Sequence, residues 1–164
     1  TEAEWEYACR AGTTTVFPFG NEADKLDEYA WYAANSENKY HKVGSKKPNS
    51  WGLYDMLGNV GEWTLDQYQP DYYTTLTGTV ANPVRLPDTK HPRSVKGGTY
   101  LDTAKELRPA NRLMSDLVWN RRDPQIPKSR WWNADAPFIG FRLVRPIVQP
   151  TPAEVEQFFS IYLK

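Results

Sequence analysis

Two carboxylates with the potential to bind a metal, Asp55 and Glu62, lie in the glycine-containing segment WGLYDMLGNVGEW, residues 51–63. Its glycines permit backbone angles that other residues avoid, so the chain can turn sharply between the two acids. Such a turn can direct main-chain carbonyl oxygens inward, and calcium prefers a mixture of carboxylate and carbonyl ligands. The alternative is a buried turn in which both acids accept hydrogen bonds from amides or pair with arginines. The local chemistry leaves both interpretations open.

Other side chains with metal-binding or nucleophilic chemistry are isolated in the sequence. His41 and His91 lack a second ligand at a metal-binding spacing, and we interpret each as a surface or loop histidine. Cys9 is the single cysteine, which excludes an internal disulfide. We expect it in the first helix, where it acts as a small buried hydrophobic residue.

Composition indicates one globular domain. The chain has 164 residues, enough to bury a core, and its 20 basic and 20 acidic residues cancel. A neutral chain gives no electrostatic reason to expect nucleic acid or an anionic membrane as a partner. No apolar run approaches the length of a membrane span.

Helix signals occur at both ends of the chain. Thr1 and Glu4 form a capping-box pattern, which predicts a helix over residues 2–11. A last helix is predicted to begin around Thr151, with an apolar side that packs on its own domain or, as the alternative, on a partner. Residues 12–50 are rich in turn-forming residues and predict a loop, with a short helical turn near residues 26–31.

Strand signals are sparse and are separated by irregular sequence. The best candidates are residues 94–100 and 138–144, which combine β-branched or aromatic residues with glycine. Between them, residues 101–137 carry four prolines at spaced positions and predict a long irregular region. Irregular stretches of this length inside a compact domain are usually functional or mobile.

The segment from Trp51 to Trp63 resembles the GLYDMxGNVWEW signature of the formylglycine-generating enzyme, or sulfatase-modifying factor, family. Further segments resemble family motifs in the same order: TEAEWEYACRAG at 1–12, FPFGN at 17–21, VGSKKPN at 43–49, SVKGGTY at 94–100 and IGFRLV at 139–144. The resemblance implies an α+β, C-type-lectin-like fold that is rich in loops. It also implies that residues 1–146 are the C-terminal portion of such a domain, with its N-terminal half missing from this chain, and that residues 147–164 form a linker and C-terminal helix.

The resemblance predicts that oxidase activity is absent. Formylglycine-generating enzymes oxidise a cysteine of a sulfatase with copper held by two cysteines after the GGSY motif, and copper(I) needs such soft thiolates. Asp102 and Leu107 stand at those two positions here. Cys9 lies far away in sequence and cannot restore a pair, so no copper is expected.

The resemblance strengthens the calcium interpretation. In the family, one structural calcium site uses two side chains and two carbonyls, at the positions of Asp55, Gly58, Val60 and Glu62. All four positions carry suitable groups, whereas Ser36–Lys42 is too short to supply a second family site. The alternative remains a buried carboxylate–arginine network with Arg142 or Arg112 as the partner.

A ligand-binding cleft is expected near the basic and aromatic run at residues 120–132. In catalytic relatives this loop would line the groove for the substrate peptide, and peptides or sugars suit a polar-aromatic cleft. The residues predicted to border it are Asp102, Arg108, Arg112, Trp131, Trp132 and Asp135. The alternative is that the tryptophans belong to the core and the charges are solvated.

These observations favour a calcium-stabilised, non-oxidase module that binds a peptide, a glycan or a partner protein. Two enzyme alternatives stay open: carbon–sulfur bond formation with non-heme iron, and sulfatase maturation with the missing residues supplied elsewhere. The family resemblance also suggests a periplasmic or secreted location. Fold alone does not decide among these functions.

Overall fold

The computed structural model describes residues 1–129 and 133–162, and its centre is a four-stranded mixed sheet. The strands are β1 (Gly61–Gln67), β2 (Arg93–Lys96), β3 (Leu113–Met114) and β4 (Ile139–Gly140), in the spatial order β3-β2-β1-β4. β2 is antiparallel to both β1 and β3, whereas β4 runs parallel to β1. Glu62 faces Lys96 across the β1–β2 pair.

Three α-helices accompany the sheet in the described chain: α1 (Glu2–Arg10), α2 (Leu26–Tyr29) and α3 (Pro152–Tyr162). The capping box predicted for α1 is present, because the Thr1 side chain accepts from the Glu4 amide and the Glu4 carboxylate accepts in return. All three helices lie where the sequence predicted helical structure.

Loops cover the hydrophobic core. Its larger cluster joins side chains of α1, α2 and three loops: Trp5, Cys9, Phe17, Leu26, Ala30, Met56, Leu57 and Leu107. A smaller cluster, built on Val95, Trp119 and Ala136, lies on the sheet. Large aromatic side chains thus fix long connections that have little regular structure of their own.

The strands differ from the sequence-based prediction in two respects. Neither β1 nor β3 was predicted. The glycine-rich start of β1 indicates a turn, yet Gly61 already pairs with Ile139, and β3 lies in the stretch that was predicted to be irregular. Both predicted strands are shorter than expected. β2 ends at Lys96 because Gly97 and Gly98 adopt φ angles of 96° and 70°, which leave the extended region.

The last helix packs less closely on the domain than expected. Its apolar residues Val155, Phe158 and Phe159 remain 36%, 40% and 52% exposed. At its C-terminal end, the Arg93 guanidinium donates to the carbonyl of Tyr162 at 3.0 Å. Within residues 1–129 and 133–162, no helix is both long and apolar enough to cross a membrane.

Candidate functional site

Asp55 occupies a left-handed backbone conformation at the start of the glycine-rich turn, with φ 53°. One carboxylate oxygen, Oδ2, accepts a hydrogen bond from the Gly44 amide at 2.6 Å. The other, Oδ1, is buried and has no hydrogen-bond partner among the described residues. An unsatisfied buried acceptor is costly, so this oxygen is available for a cation.

Glu62 lies at the start of β1 and is only 6% exposed. Its Oε2 accepts from the Trp5 indole at 2.7 Å and from Arg142 Nε at 2.9 Å, while Arg142 Nη2 donates to Oε1 at 2.8 Å. Arg142 also donates to the Tyr54 carbonyl at 2.9 Å. The structure therefore contains the carboxylate–arginine pair that the sequence offered as the alternative to calcium.

Asp55 and Glu62 nevertheless line one open cleft of about 300 Å³ together with Val60 and Arg142. The donor set fits calcium in two respects, since it offers an unpartnered Asp55 oxygen and a second carboxylate in the same cleft. The Arg142 charge beside Glu62 opposes a cation. The calcium site stays a prediction, and the structure shows how its two carboxylates are placed.

Gly58 fixes the turn between the two acids. It has φ 69°, and a Cβ there would lie 2.2 Å from the Trp31 carbonyl oxygen. The same oxygen accepts from the Asn59 amide at 2.7 Å, and the Asn59 carbonyl accepts from the Tyr100 amide at 2.8 Å. These bonds tie the turn to the loop that follows β2.

That loop forms one wall of a second cleft, of about 340 Å³, which we call the Asp102 cleft. It is lined by Thr99, Leu101, Asp102, Leu113, Met114, Asp116, Val118, Trp119 and Phe138. Oδ2 of Asp102 accepts from the Thr99 amide at 2.8 Å and from the Thr99 hydroxyl at 2.9 Å. Oδ1 of Asp116 accepts from the Val118 amide at 2.9 Å.

The two carboxylates of the Asp102 cleft have no ion-pair partner among residues 1–129 and 133–162. In the described parts of the chain, the ion pairs between cationic and acidic groups involve neither Asp102 nor Asp116. Around them, Leu101, Met114 and Val118 expose apolar side chains. The described part of the cleft thus combines an apolar wall with two carboxylates that form no ion pair with a described cation.

The residues that the resemblance predicts at the copper positions, Asp102 and Leu107, are not equivalent to thiolates. Asp102 offers a hard oxygen, and Leu107 is fully buried in the core. Cys9 is also buried, donates weakly to the Met56 carbonyl at 3.7 Å, and has its pKa raised by burial to about 12. These residues do not fit a two-thiolate copper site.

The other predicted ligand-binding residues are engaged elsewhere. Arg112 forms a bidentate pair with Glu2, at 2.5 and 3.0 Å, and donates to the Gln69 carbonyl. Arg108 donates to the Lys105 carbonyl at 2.7 Å, and Asp135 pairs with Arg122. Trp131 and Trp132 lie outside the described residues. The prediction that all six border one cleft stays a prediction.

Sequence reasoning missed three features of these clefts. Asp116 caps the turn at residues 117–120 through its side chain, a role that its position before Leu117 could have indicated. Met114 and Trp119 lie in the stretch interpreted as irregular. The indole of Trp5 reaches Glu62 from α1, and no sequence spacing signals that contact.

Comparisons with known proteins agree on the fold. The chain is 32% identical over 130 residues to the formylglycine-generating enzyme of Mycobacterium tuberculosis, which covers 68% of this chain and 44% of that protein. It is 39% identical over 80 residues to the mouse inactive C-alpha-formylglycine-generating enzyme 2, which covers 43% of this chain and 26% of that protein. The structure of PvdO from Pseudomonas aeruginosa matches with a TM-score of 0.64 at 27% identity, over 86% of this chain and 49% of that one.

The fold is accordingly α+β and C-type-lectin-like, as the resemblance implied. The chain spans less than half the length of each of these relatives. The profile of the FGE-sulfatase family, described as the sulfatase-modifying factor enzyme 1-like domain, matches residues 1–147. The chain therefore belongs to the FGE-sulfatase family.

Proposed function

We propose that this domain is a non-oxidase member of its family, which binds a peptide with basic and apolar side chains in the Asp102 cleft. The observation that carries the proposal is the pair of residues at the copper positions. One, Asp102, is a carboxylate that lines the cleft, and the other, Leu107, is a fully buried core residue. Replacing soft ligands in this way favours binding over copper chemistry.

The charge and shape of the cleft support a cationic, partly apolar ligand. Asp102 and Asp116 carry negative charge beside Met114 and Leu101, which are 49% and 46% exposed. A lysine or arginine side chain places a charged group on an apolar stem and suits such a surface. Complementary charge would also give the complex its specificity and speed its formation.

A peptide fits this cleft better than a glycan. Sugars stack on open aromatic faces, but Trp119 is 7% exposed. Its ring packs edge-on against Trp63 and Phe138, with ring centroids 5.7 Å apart in each pair. In the described part of the cleft, the aromatic surface therefore belongs to the core.

Isothermal titration with a short peptide of alternating leucine and lysine tests the proposal. We expect saturable binding that weakens as salt increases, and about tenfold weaker binding by Asp102→Asn, equivalent to about 1.4 kcal/mol. Asparagine keeps the acceptor that Thr99 uses, so the variant should fold. Asp71→Asn, in an exposed loop, is the matched control and should bind normally.

Two outcomes contradict the proposal that the ligand is a basic, apolar peptide, and a third contradicts its place in the Asp102 cleft. One is no binding of the leucine–lysine peptide by the folded wild-type protein. The other is equal binding of a leucine–glutamate peptide of the same length, because charge complementarity would then play no part. Unchanged affinity in Asp102→Asn would show that the peptide binds to a different surface.

We also propose that the glycine-rich turn holds one structural calcium ion. Asp55, the carbonyls of Gly58 and Val60, and Glu62 would hold it. The ion would neutralise the buried Asp55 oxygen and link the turn to the start of β1. The support is the unpartnered Asp55 Oδ1 and the shared cleft with Glu62.

Asp55→Asn tests the calcium proposal without disturbing the Glu62–Arg142 pair. Asparagine tolerates the φ of 53° and can still accept from the Gly44 amide. In the wild type, calcium at about 100 times its Kd should raise the free energy of unfolding by about 2.7 kcal/mol. The variant should lose this increment and match the wild type in chelator. An equal calcium effect in both proteins would refute the site.

A calcium-stabilised domain suits a compartment where calcium is plentiful. We therefore propose a periplasmic or secreted location, in keeping with the expectation from the family resemblance. Fractionation of cells that express the full gene product from its own promoter tests this location. Recovery from the cytoplasmic fraction would contradict it.

Sulfatase maturation is the second candidate, because relatives of this chain are named formylglycine-generating enzymes. Incubating the full gene product with a cysteine-containing sulfatase peptide, copper and oxygen tests it. Conversion of the cysteine to an aldehyde, detected by peptide mass, would overturn the non-oxidase proposal. We expect the peptide to remain unchanged.

A further inference from the structure

Strand β3 forms one edge of the sheet and part of one wall of the Asp102 cleft. In the strand order β3-β2-β1-β4, β3 pairs with β2 alone among the described strands. Both residues of β3, Leu113 and Met114, line the cleft together with Asp102 and Asp116. A ligand in the cleft would therefore lie beside the side of β3 that faces away from β2, which we call the open edge.

The register of β3 on β2 directs the backbone groups of Met114 towards the open edge. The Ser115 amide donates to the Arg93 carbonyl at 3.0 Å, so these two opposite residues form a hydrogen-bonded pair. Met114 lies opposite Ser94, one position further along the two strands. Opposite residues of an antiparallel pair alternate between bonded and non-bonded positions, so the amide and carbonyl of Met114 point away from β2.

These two backbone groups of Met114 are available to a ligand. Across residues 1–129 and 133–162, the Met114 amide and carbonyl form no hydrogen bond outside the sheet. The Met114 side chain is itself exposed. An edge strand with a free donor and a free acceptor is a template for one further strand.

The charges beside the open edge indicate which kind of strand would fit. Asp102 and Asp116 line the cleft and form no ion pair with a described cation. Leu113 packs against the cluster that contains Trp119, and Trp119 lines the same cleft. Every second side chain of an added strand would lie on this face. Basic side chains at alternate positions would then be directed towards the two carboxylates.

Given the peptide-binding function proposed above, on which this inference rests, we propose that the peptide binds as an extended strand added to the open edge of β3. The amide and carbonyl of Met114 hydrogen-bond to the peptide backbone. Lysine or arginine side chains at alternate positions face Asp102 and Asp116, to which their charge is complementary. The partner is thus an extended segment in which basic and apolar residues alternate and whose backbone is free to pair.

Backbone N-methylation of the leucine–lysine peptide tests this mode of binding by isothermal titration. One peptide carries N-methyl groups on its leucine amides and the other on its lysine amides, so their charge is the same. Successive amides of a strand point to opposite edges, so only one of the two sets faces β3. We expect one peptide to bind at least about tenfold more weakly than the unmodified peptide, and the other to stay within about twofold of it.

Two substitutions of Met114 test the contribution of the protein backbone. Met114→Pro and Met114→Ala both remove the methionine side chain, but only proline also removes the amide. The β2–β3 hydrogen bonds do not use this amide, and proline is tolerated where the amide of an edge strand faces solvent. We expect Met114→Pro to bind the unmodified peptide about 2- to 10-fold more weakly than Met114→Ala. Thermal melts check that both variants are folded.

Two results would overturn strand addition and leave peptide binding in the cleft intact. One is equal affinity of the two N-methylated peptides for the wild-type protein. The other is equal affinity of folded Met114→Pro and Met114→Ala for the unmodified peptide. If Met114→Pro does not fold, the N-methylated peptides alone decide. Failure of the unmodified peptide to bind the wild-type protein would instead refute the proposed function, and strand addition with it.

Discussion

At the residue scale, burial determines which polar side chains keep their ordinary pKa and hydrogen-bond partners. His91 illustrates this, because its Nδ1 lies 2.7 Å from the Ser115 hydroxyl while its buried Nε2 has no partner among the described residues. Burial lowers the pKa of His91 below its ordinary 6.5, Lys90 and Arg93 lower it further, and Asp116 opposes them. The sequence predicted an unremarkable loop histidine and gave no sign of this environment.

His91 should make stability depend on pH. The unfolded chain binds a proton as the pH falls through 6.5, whereas folded His91 does so only at lower pH. The contribution of His91 to stability is therefore fully present above pH 6.5 and is lost as the pH falls towards the folded pKa. Thermal melts across this range should show a smaller loss for His91→Gln than for the wild type. Identical slopes in the two proteins would contradict the assignment.

Glu62 shows how far residue chemistry could be predicted from sequence. Its carboxylate left two interpretations, calcium or an arginine partner, and Arg142 was one of the two arginines considered. The structure shows the pair with Arg142, and Arg112 instead pairs with Glu2. The partners are 80 residues apart in the Glu62–Arg142 pair and 110 residues apart in the Glu2–Arg112 pair. Such pairing depends on the tertiary structure, and no local sequence pattern encodes it.

At the element scale, turns with left-handed residues limit the strands and shape both clefts. The sequence located α1 and α3 because caps and periodicity are local signals. It missed β1 because GNVGEW has the glycines of a turn, and the strand forms through pairing with distant β2 and β4. Strand formation of this kind depends on tertiary partners more than on propensity.

A comparison of alanine substitutions at Gly58 and Gly78 distinguishes backbone strain from steric conflict in these turns. Both have φ 69°, but a Cβ at Gly78 has no atom within 4 Å, whereas one at Gly58 would lie 2.2 Å from the Trp31 carbonyl oxygen. Gly78→Ala should lower the free energy of unfolding by about 1–2 kcal/mol. Gly58→Ala should lower it by about 1–3 kcal/mol more. Urea denaturation measures both, and equal losses would show that the turn relaxes.

At the scale of the whole molecule, a buried ion network joins the first helix to the sheet. Glu2 at the start of α1 is 1% exposed and lies 2.5 Å from Arg112 Nε and 3.7 Å from Nζ of Lys96, which is also 1% exposed. Burial lowers the pKa of Lys96, and the charges of Glu6 and Glu2 oppose that shift. The family resemblance predicted the fold as a whole, but the network depends on side chains distant in sequence.

Removing one member of this network should be far more costly than removing a surface ion pair. Glu2→Gln removes the negative charge that faces the cations of Arg112 and Lys96 in a buried site. It should lower the free energy of unfolding by about 3–5 kcal/mol. Glu37→Gln, which breaks the exposed pair with Lys39, is the control and should change stability little. Similar losses in the two variants would indicate that water reaches the buried network.

The central proposal is that this domain binds a ligand and has no copper chemistry, and competition for copper(I) tests it most directly. The full gene product is titrated into the copper(I) complex of a coloured chelator under reducing conditions, and the absorbance of the complex is followed. With Asp102 and Leu107 at the thiolate positions and Cys9 buried, we predict that the absorbance stays constant. Stoichiometric removal of copper by the folded protein would contradict the account.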